Sequence, residues 1–223
     1  MKKILATLLG LVGVATAAPQ EPKPQKFDLS SILYTTPTIS NDIAALDPID
    51  HQPGDAAFGF HEDEWCQVEF LPKAELPTVQ HLLTEYQAFE RENRAQHGWR
   101  NVFVRKLSRR PVVSGAQPVQ QLERTLGIKA GAAPLIFSSG SVSGSARNGF
   151  SFPLGGNVTL YGYSDAQGIP VLGADVGANA DDSKLTDAFR KLSVSNGLIL
   201  VDWRAQLVLV SVAPSGEFAV WRP

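Results

Sequence analysis

The chain has 223 residues, 43% of them hydrophobic, with 20 Lys and Arg against 22 Asp and Glu and a single cysteine. That length serves one large domain or two small ones and supplies a core of ordinary size, and a lone Cys66 excludes an internal disulfide framework. Mild acidity argues against a nucleic-acid target, which calls for a strongly basic domain.

The first elements are signals of export. Lys2 and Lys3 precede the apolar run Ile4 to Val14, and Ala15-Thr16-Ala17 then gives a small-x-small cleavage pattern. The run is shorter than the roughly 20 residues of a spanning helix. A bacterial signal peptide over residues 1–17 is expected, with a periplasmic or secreted product and no stable membrane insertion after cleavage. No cysteine follows the run, so lipid anchoring at a new N-terminus is not expected. "APQEPKPQK" is a Pro-rich tether, and residues 18–59 read as that tether plus an irregular acidic segment. Within it, "ISNDIAALDP" predicts a short helix capped by Ser40 or Asn41, and "DPIDHQPGD" is turn chemistry.

From Trp65 the pattern sharpens. "WCQVEFL" alternates, with Cys66, Val68 and Phe70 on a buried face and Gln67 and Glu69 on a solvated one. A helix over about 74–96 follows, with apolar positions at Leu76, Val79, Leu82, Leu83, Tyr86 and Phe89. Its other face carries Glu85, Glu90, Arg91, Glu92 and Arg94. "WRNVFVRKL" predicts a second strand. "PVQQLERTLG" is a short helix stopped by Gly127, and "APLIF" a short strand. Residues 137–156 are dense in Ser and Gly and read as a flexible loop. "NVTLYGY" and "GIPVLGADV" make a hairpin around "SDAQG". A helix capped at Asp181 or Asp182 ends at Gly197. "LILVDW", "QLVLVSV" and "EFAVWR" close the chain as an antiparallel meander.

These elements predict an α+β fold: a mainly antiparallel sheet with two principal amphipathic helices packed on one face, preceded by the irregular acidic segment. Residues 60–223 form the domain. An alternative division gives subdomains 60–136 and 157–223 joined by the Ser/Gly-rich loop.

No catalytic constellation is complete. His61 has no histidine partner at ligand spacing, and Glu62, Asp63 and Glu64 are consecutive rather than alternating, so no metal and no cofactor is expected. Cys66 with His81 is a weak nucleophile–base candidate, since a thiol on an apolar strand face is inert. "GSVSG" lacks the central serine of a hydrolase elbow, and "GSVSGSARNG" lacks a P-loop lysine. Charge is polarised. Residues 27–72 carry nine acids and no base, while seven basic residues crowd Arg91 to Arg110. Either the acidic part lies over the basic part of the same chain, which the reading favours, or Arg100, Arg105, Arg109, Arg110 and Arg147 receive a protein or an anionic envelope polymer. At the turn "VDWRAQ", Asp202, Trp203 and Arg204 frame either a small polar pocket or an ordinary hairpin. The resulting expectation is an exported, non-enzymatic binding module. The alternative is a hydrolase of unfamiliar type using Cys66 and His81 or the Glu62–Glu64 cluster.

Overall fold

The computed structural model describes residues 33–49, 58–138 and 141–223, which form one compact unit. Residues 1–32 and 50–57 lie outside the described residues, and with them the expected signal peptide, the Pro-rich "APQEPKPQK" and His51. In chain order come strands β1 (Thr38–Ser40), β2 (Leu46–Asp47), β3 (Gly59–His61) and β4 (Val68–Pro72), then helix α1 (Leu76–Asn93). Next are β5 (Arg94–Ala95), β6 (Gly98–Trp99), β7 (Phe103–Arg105) and β8 (Val113–Ser114). Helix α2 (Pro118–Leu126) precedes β9 (Leu135–Ser138), β10 (Ser141–Ala146), β11 (Gly149–Gly155), β12 (Val158–Asp165) and β13 (Gly168–Val176). Helix α3 (Asp182–Asn196) and strands β14 (Leu198–Asp202), β15 (Leu207–Val212) and β16 (Phe218–Trp221) end the chain.

The main sheet has the order β11-β12-β13-β4-β14-β15-β16 and is antiparallel throughout, with β8 paired to β13. A smaller sheet has the order β2-β10-β9-β3, and β1 pairs in parallel with β7 as a separate ribbon. This is a mixed α+β fold with mainly antiparallel sheets. Local chemistry explains several elements. Asp165 Oδ1 accepts the N–H groups of Gln167 and Gly168 at 2.7 and 3.0 Å and closes the β12–β13 hairpin. Asp181 caps α3 by accepting the Ser183 N–H, and Gly197 ends it in the left-handed conformation with φ 65°.

The core corrects four expectations. First, the two long helices and the short one expected at "PVQQLERTLG" are present, but they cover both faces of the sheet rather than one. Helices α2 and α3 pack Leu122, Leu126, Phe189 and Leu192 against Phe70, Leu172 and Leu200. On the opposite face α1 packs Val79, Leu83 and Tyr86 against Leu71, Ile199 and Val201. Beside α1, the smaller sheet closes over Phe60, Trp65, Cys66, Tyr161 and Val171. The all-apolar run "LILV" of β14 reflects this: a strand covered on both sides has no face to leave polar.

Second, Gln67 and Glu69 are not solvated. Glu69 is fully buried and Gln67 nearly so, because Arg105, Arg109, Trp203 and the β1 segment cover that face of the sheet. Third, the segment 137–156 is mostly strand rather than loop, comprising the end of β9, β10 and β11, apart from positions 139 and 140, which lie outside the described residues. Its small residues suit close packing: a Cβ on Gly144 would stand 2.7 Å from the Asp47 carbonyl oxygen. Fourth, "ISNDIAALDP" is not helical. Ser40 Oγ hydrogen-bonds Asp42 instead of capping a helix, and Asn41 Oδ1 accepts the Leu107 N–H. "WRNVFVRKL" is likewise divided between β6 and β7, neither of which joins the main sheet.

Candidate functional site

Two polar assemblies stand side by side on the α1 face. The first is a buried charge network. Strand alternation turns Glu69 to the same side of β4 as Leu71, into the gap between α1 and the smaller sheet. There Glu69 accepts hydrogen bonds from Arg109 Nη1 and, at 2.8 Å, from Trp203 Nε1. Arg109 also grips Asp42 with two bonds, 2.6 Å from Nε and 3.0 Å from Nη2, and donates to Ser40 Oγ at 3.1 Å. Burial alone would weaken the Arg109 proton's hold, but the Glu69 and Asp42 charges outweigh it and raise the guanidinium's pKa. Burial likewise opposes ionisation of Asp42, yet Arg109 and Ser40 hold its carboxyl below the ordinary value.

Arg105 lies beneath, fully buried. It donates to Thr38 Oγ1 and the Cys66 carbonyl, each at 2.9 Å, and stacks 5.1 Å over the Trp203 ring, while its Nε has no partner. Cys66 sits in the turn before β4, not in the strand, with a positive φ of 56° and its backbone N–H on the Tyr161 hydroxyl at 2.8 Å. Its thiol is wholly buried, and burial, reinforced by the Glu69 charge, pushes its pKa well up.

The second assembly is an open cleft of about 550 Å³ between α1, the β5–β6 hairpin, residues 35–37 and the β14–β15 turn. Tyr86, Glu90 and Arg94 lie at intervals of four, one stripe along the end of α1. The helix ends there: Arg94 is its C-cap, Asn93 Nδ2 bonds the Phe89 carbonyl, and the Arg100 N–H bonds the Asn93 carbonyl. The chain then turns through Gly98, where a Cβ would stand 2.4 Å from the Tyr34 carbonyl oxygen; the close approach and a φ of 123° both call for glycine. Tyr34 and Trp99 exchange backbone hydrogen bonds of 2.8 and 3.0 Å, which fixes the indole in the wall, with the Arg94 guanidinium 4.9 Å from its ring centre.

Two ion pairs flank the cleft, Arg94–Glu90 at 3.2 Å and Arg204–Glu64 at 2.7 Å. Gln206 Nε2 donates to the other oxygen of Glu90 at 2.5 Å. Two donors are left over: the Tyr86 hydroxyl and Trp99 Nε1 are both buried and have no hydrogen-bond partner. The Gln206 side chain lies near enough to the phenol to pull its pKa down a little, but its Nε2 donates to Glu90 and no bond of normal geometry reaches the hydroxyl. Burial first, and the neighbouring Glu90 second, raise the Tyr86 pKa, so the phenol keeps its proton. A smaller hollow of about 220 Å³ is lined by Ile39, Asp42, Glu62 and Trp65, whose Nε1 is also buried without a partner.

The residues singled out from sequence are dispersed. Cys66 and His81 are not brought together: the thiol is sealed in the core, while His81 projects from α1 and pairs with Glu85 at 3.3 Å. Among the arginines, Arg105 and Arg109 belong to the buried network. Arg110 pairs with Glu75 at 3.3 Å, Arg147 pairs with Asp47 at 2.7 Å, and Arg100 is exposed. Glu62 accepts from Ser138 Oγ, Asp63 lies by His61, and Glu64 reaches the cleft. Arg204 also reaches the cleft, while Trp203 faces the network. Hydropathy separates Tyr86 as core from Glu90 and Arg94 as solvent-facing, although their spacing of four puts them on one stripe. Among the described residues no cluster of three or more metal-ligating side chains occurs, and no helix is long and apolar enough to cross a membrane. No family model matches the chain, and no curated protein or solved structure shows significant similarity to it.

Proposed function

We propose that this chain is an exported bacterial protein, periplasmic or secreted, that works by binding a partner rather than by catalysis, and that the cleft beside Tyr86 is where the partner is held. The observation that carries the reading is the Tyr86 hydroxyl, buried without a partner beside an open cleft. Leaving such a group unsatisfied costs about 1–3 kcal/mol, so its retention points to a bond made only in a complex. Export rests on Lys2, Lys3, the short apolar run and Ala15-Thr16-Ala17. The acidic stretch before residue 60 acts in this account as internal counter-charge, Asp42 on Arg109 and Asp47 on Arg147.

N-terminal sequencing of the protein recovered from the envelope or the medium is expected to begin at Ala18; an intact leader would remove the export reading. The native protein is expected to leave Cys66 unmodified by a thiol reagent at neutral pH, with reaction appearing on denaturation. Fast native modification would favour the enzyme instead. A hydrolase centred on Glu64 has one observation of its own, since Glu64 and Glu90 line the same cleft and carboxylate pairs serve acid–base chemistry. Turnover of any bound probe, lost in Glu64→Gln, would establish that reading in place of ours.

A further inference from the structure

Resting on that binding reading, we infer that the cleft takes an uncharged polyhydroxylated ligand, a short oligosaccharide or the end of a glycan chain. The two spare groups, Tyr86 Oη–H and Trp99 Nε1–H, are neutral donors, and the indole nitrogen can do nothing else. They ask for acceptor oxygens. The flanks offer two guanidinium groups and two carboxylates, Arg94 with Glu90 and Arg204 with Glu64, which cancel in formal charge.

Each pair leaves capacity free. A guanidinium has five N–H donors and a carboxylate about four lone-pair sites, and the ion pairs occupy a fraction of them. The cleft therefore presents donors and acceptors together with no net charge. A hydroxyl group both donates and accepts, so a molecule rich in hydroxyls satisfies both kinds of site at once. An anion would meet Glu64 and Glu90, and a cation would meet Arg94 and Arg204. A cleft of about 550 Å³ lies in the range usual for small-molecule sites.

The test is calorimetric titration of the chain from residue 18 onward, and of its Tyr86→Phe and Trp99→Phe variants. The probes are chitotetraose, cellotetraose and maltotetraose, with tetragalacturonate as the anionic counterpart, at low and high salt. We expect at least one neutral tetrasaccharide to bind, with affinity nearly independent of salt. Tyr86→Phe should weaken it about fivefold to tenfold, the loss of one hydrogen bond, while circular dichroism stays native. Trp99→Phe should weaken it similarly, which keeps the test open if either variant folds poorly. Titration of a long polymer of the same sugar separates the sources: equal affinity per site means an internal stretch of chain, and weaker binding means chain ends. Salt-sensitive binding of tetragalacturonate alone, still reduced by Tyr86→Phe, would overturn the uncharged ligand yet leave the cleft as the binding site. Binding unchanged in both variants would overturn the site. No binding by any probe would overturn this inference; the binding reading would fall with it only if a thermal-shift screen of other small polar molecules were also blank.

Discussion

The Arg109 network and the Tyr86 cleft lie on the same face of the same sheet, and both put polar atoms where water is scarce. They differ at their centres: the groups around Arg109 are all bonded, with one spare donor, Arg105 Nε, sealed beneath them. In the network, Arg109 spends its donors on Glu69, Asp42 and Ser40, while Glu69 takes a further bond from Trp203. In the cleft, the Tyr86 hydroxyl and Trp99 Nε1 are left without partners beside open space. A satisfied buried network fixes structure, and an unsatisfied group beside a cleft is poised for something else. Charge and burial alone would rank the network as the site; spare donors on residues that line an open cleft reverse the order, since the spare Arg105 Nε is sealed in the core.

The contrast can be broken from the network side first. Arg109→Ala strands the buried Glu69 charge and should cost about 3–5 kcal/mol of unfolding free energy in urea titration, a large share of the ~5–15 kcal/mol of an ordinary domain. A loss below about 1 kcal/mol would mean that Glu69 finds water. Trp203→Phe keeps the ring under Arg105 but removes the bond to Glu69. A bond to a charged group is worth about 1.5–3 kcal/mol, and the melting temperature should fall accordingly.

A smaller effect belongs to Asp42 and to acid. Its folded pKa is held below the unfolded value near 3.8. The stability it contributes is therefore complete above that unfolded value and is lost as pH falls through the lower folded one. Wild-type stability should drop on acidification below about pH 4, in the window between those two values. Asp42→Asn should start about 2 kcal/mol lower at neutral pH and show a shallower drop in the same window. An identical acid profile in the variant would remove Asp42 from the network's energetics.

The sequence made the frame of the molecule legible where the signals were local. Asp165 and Gly168 marked the β12–β13 hairpin, Asp181 and Gly197 bounded α3, and the three terminal strands follow turn residues. What it hid depends on partners far along the chain. The alternation of "VEFL" reads as one wet face, and only the layer of Arg109, Trp203 and α1 packed over it closes water off from Glu69. The Ser/Gly stretch resembled a loop because Ser and Gly are poor strand formers in isolation. Their use is the close approach of Gly144 to Asp47, a contact between distant segments. The cleft was half visible: the spacing of Tyr86, Glu90 and Arg94 was in plain view, but Glu64, Trp99 and Arg204 join them only through folding.

One measurement bears most directly on the difference between the two regions, the unfolding free energy of ligand-free Tyr86→Phe against wild type. If the hydroxyl is spare in the free protein, removing it leaves stability unchanged or raises it, by up to about 1–3 kcal/mol. A fall of about 1 kcal/mol or more would show that the phenol already has an internal partner, and the cleft would then be as complete as the network beside it.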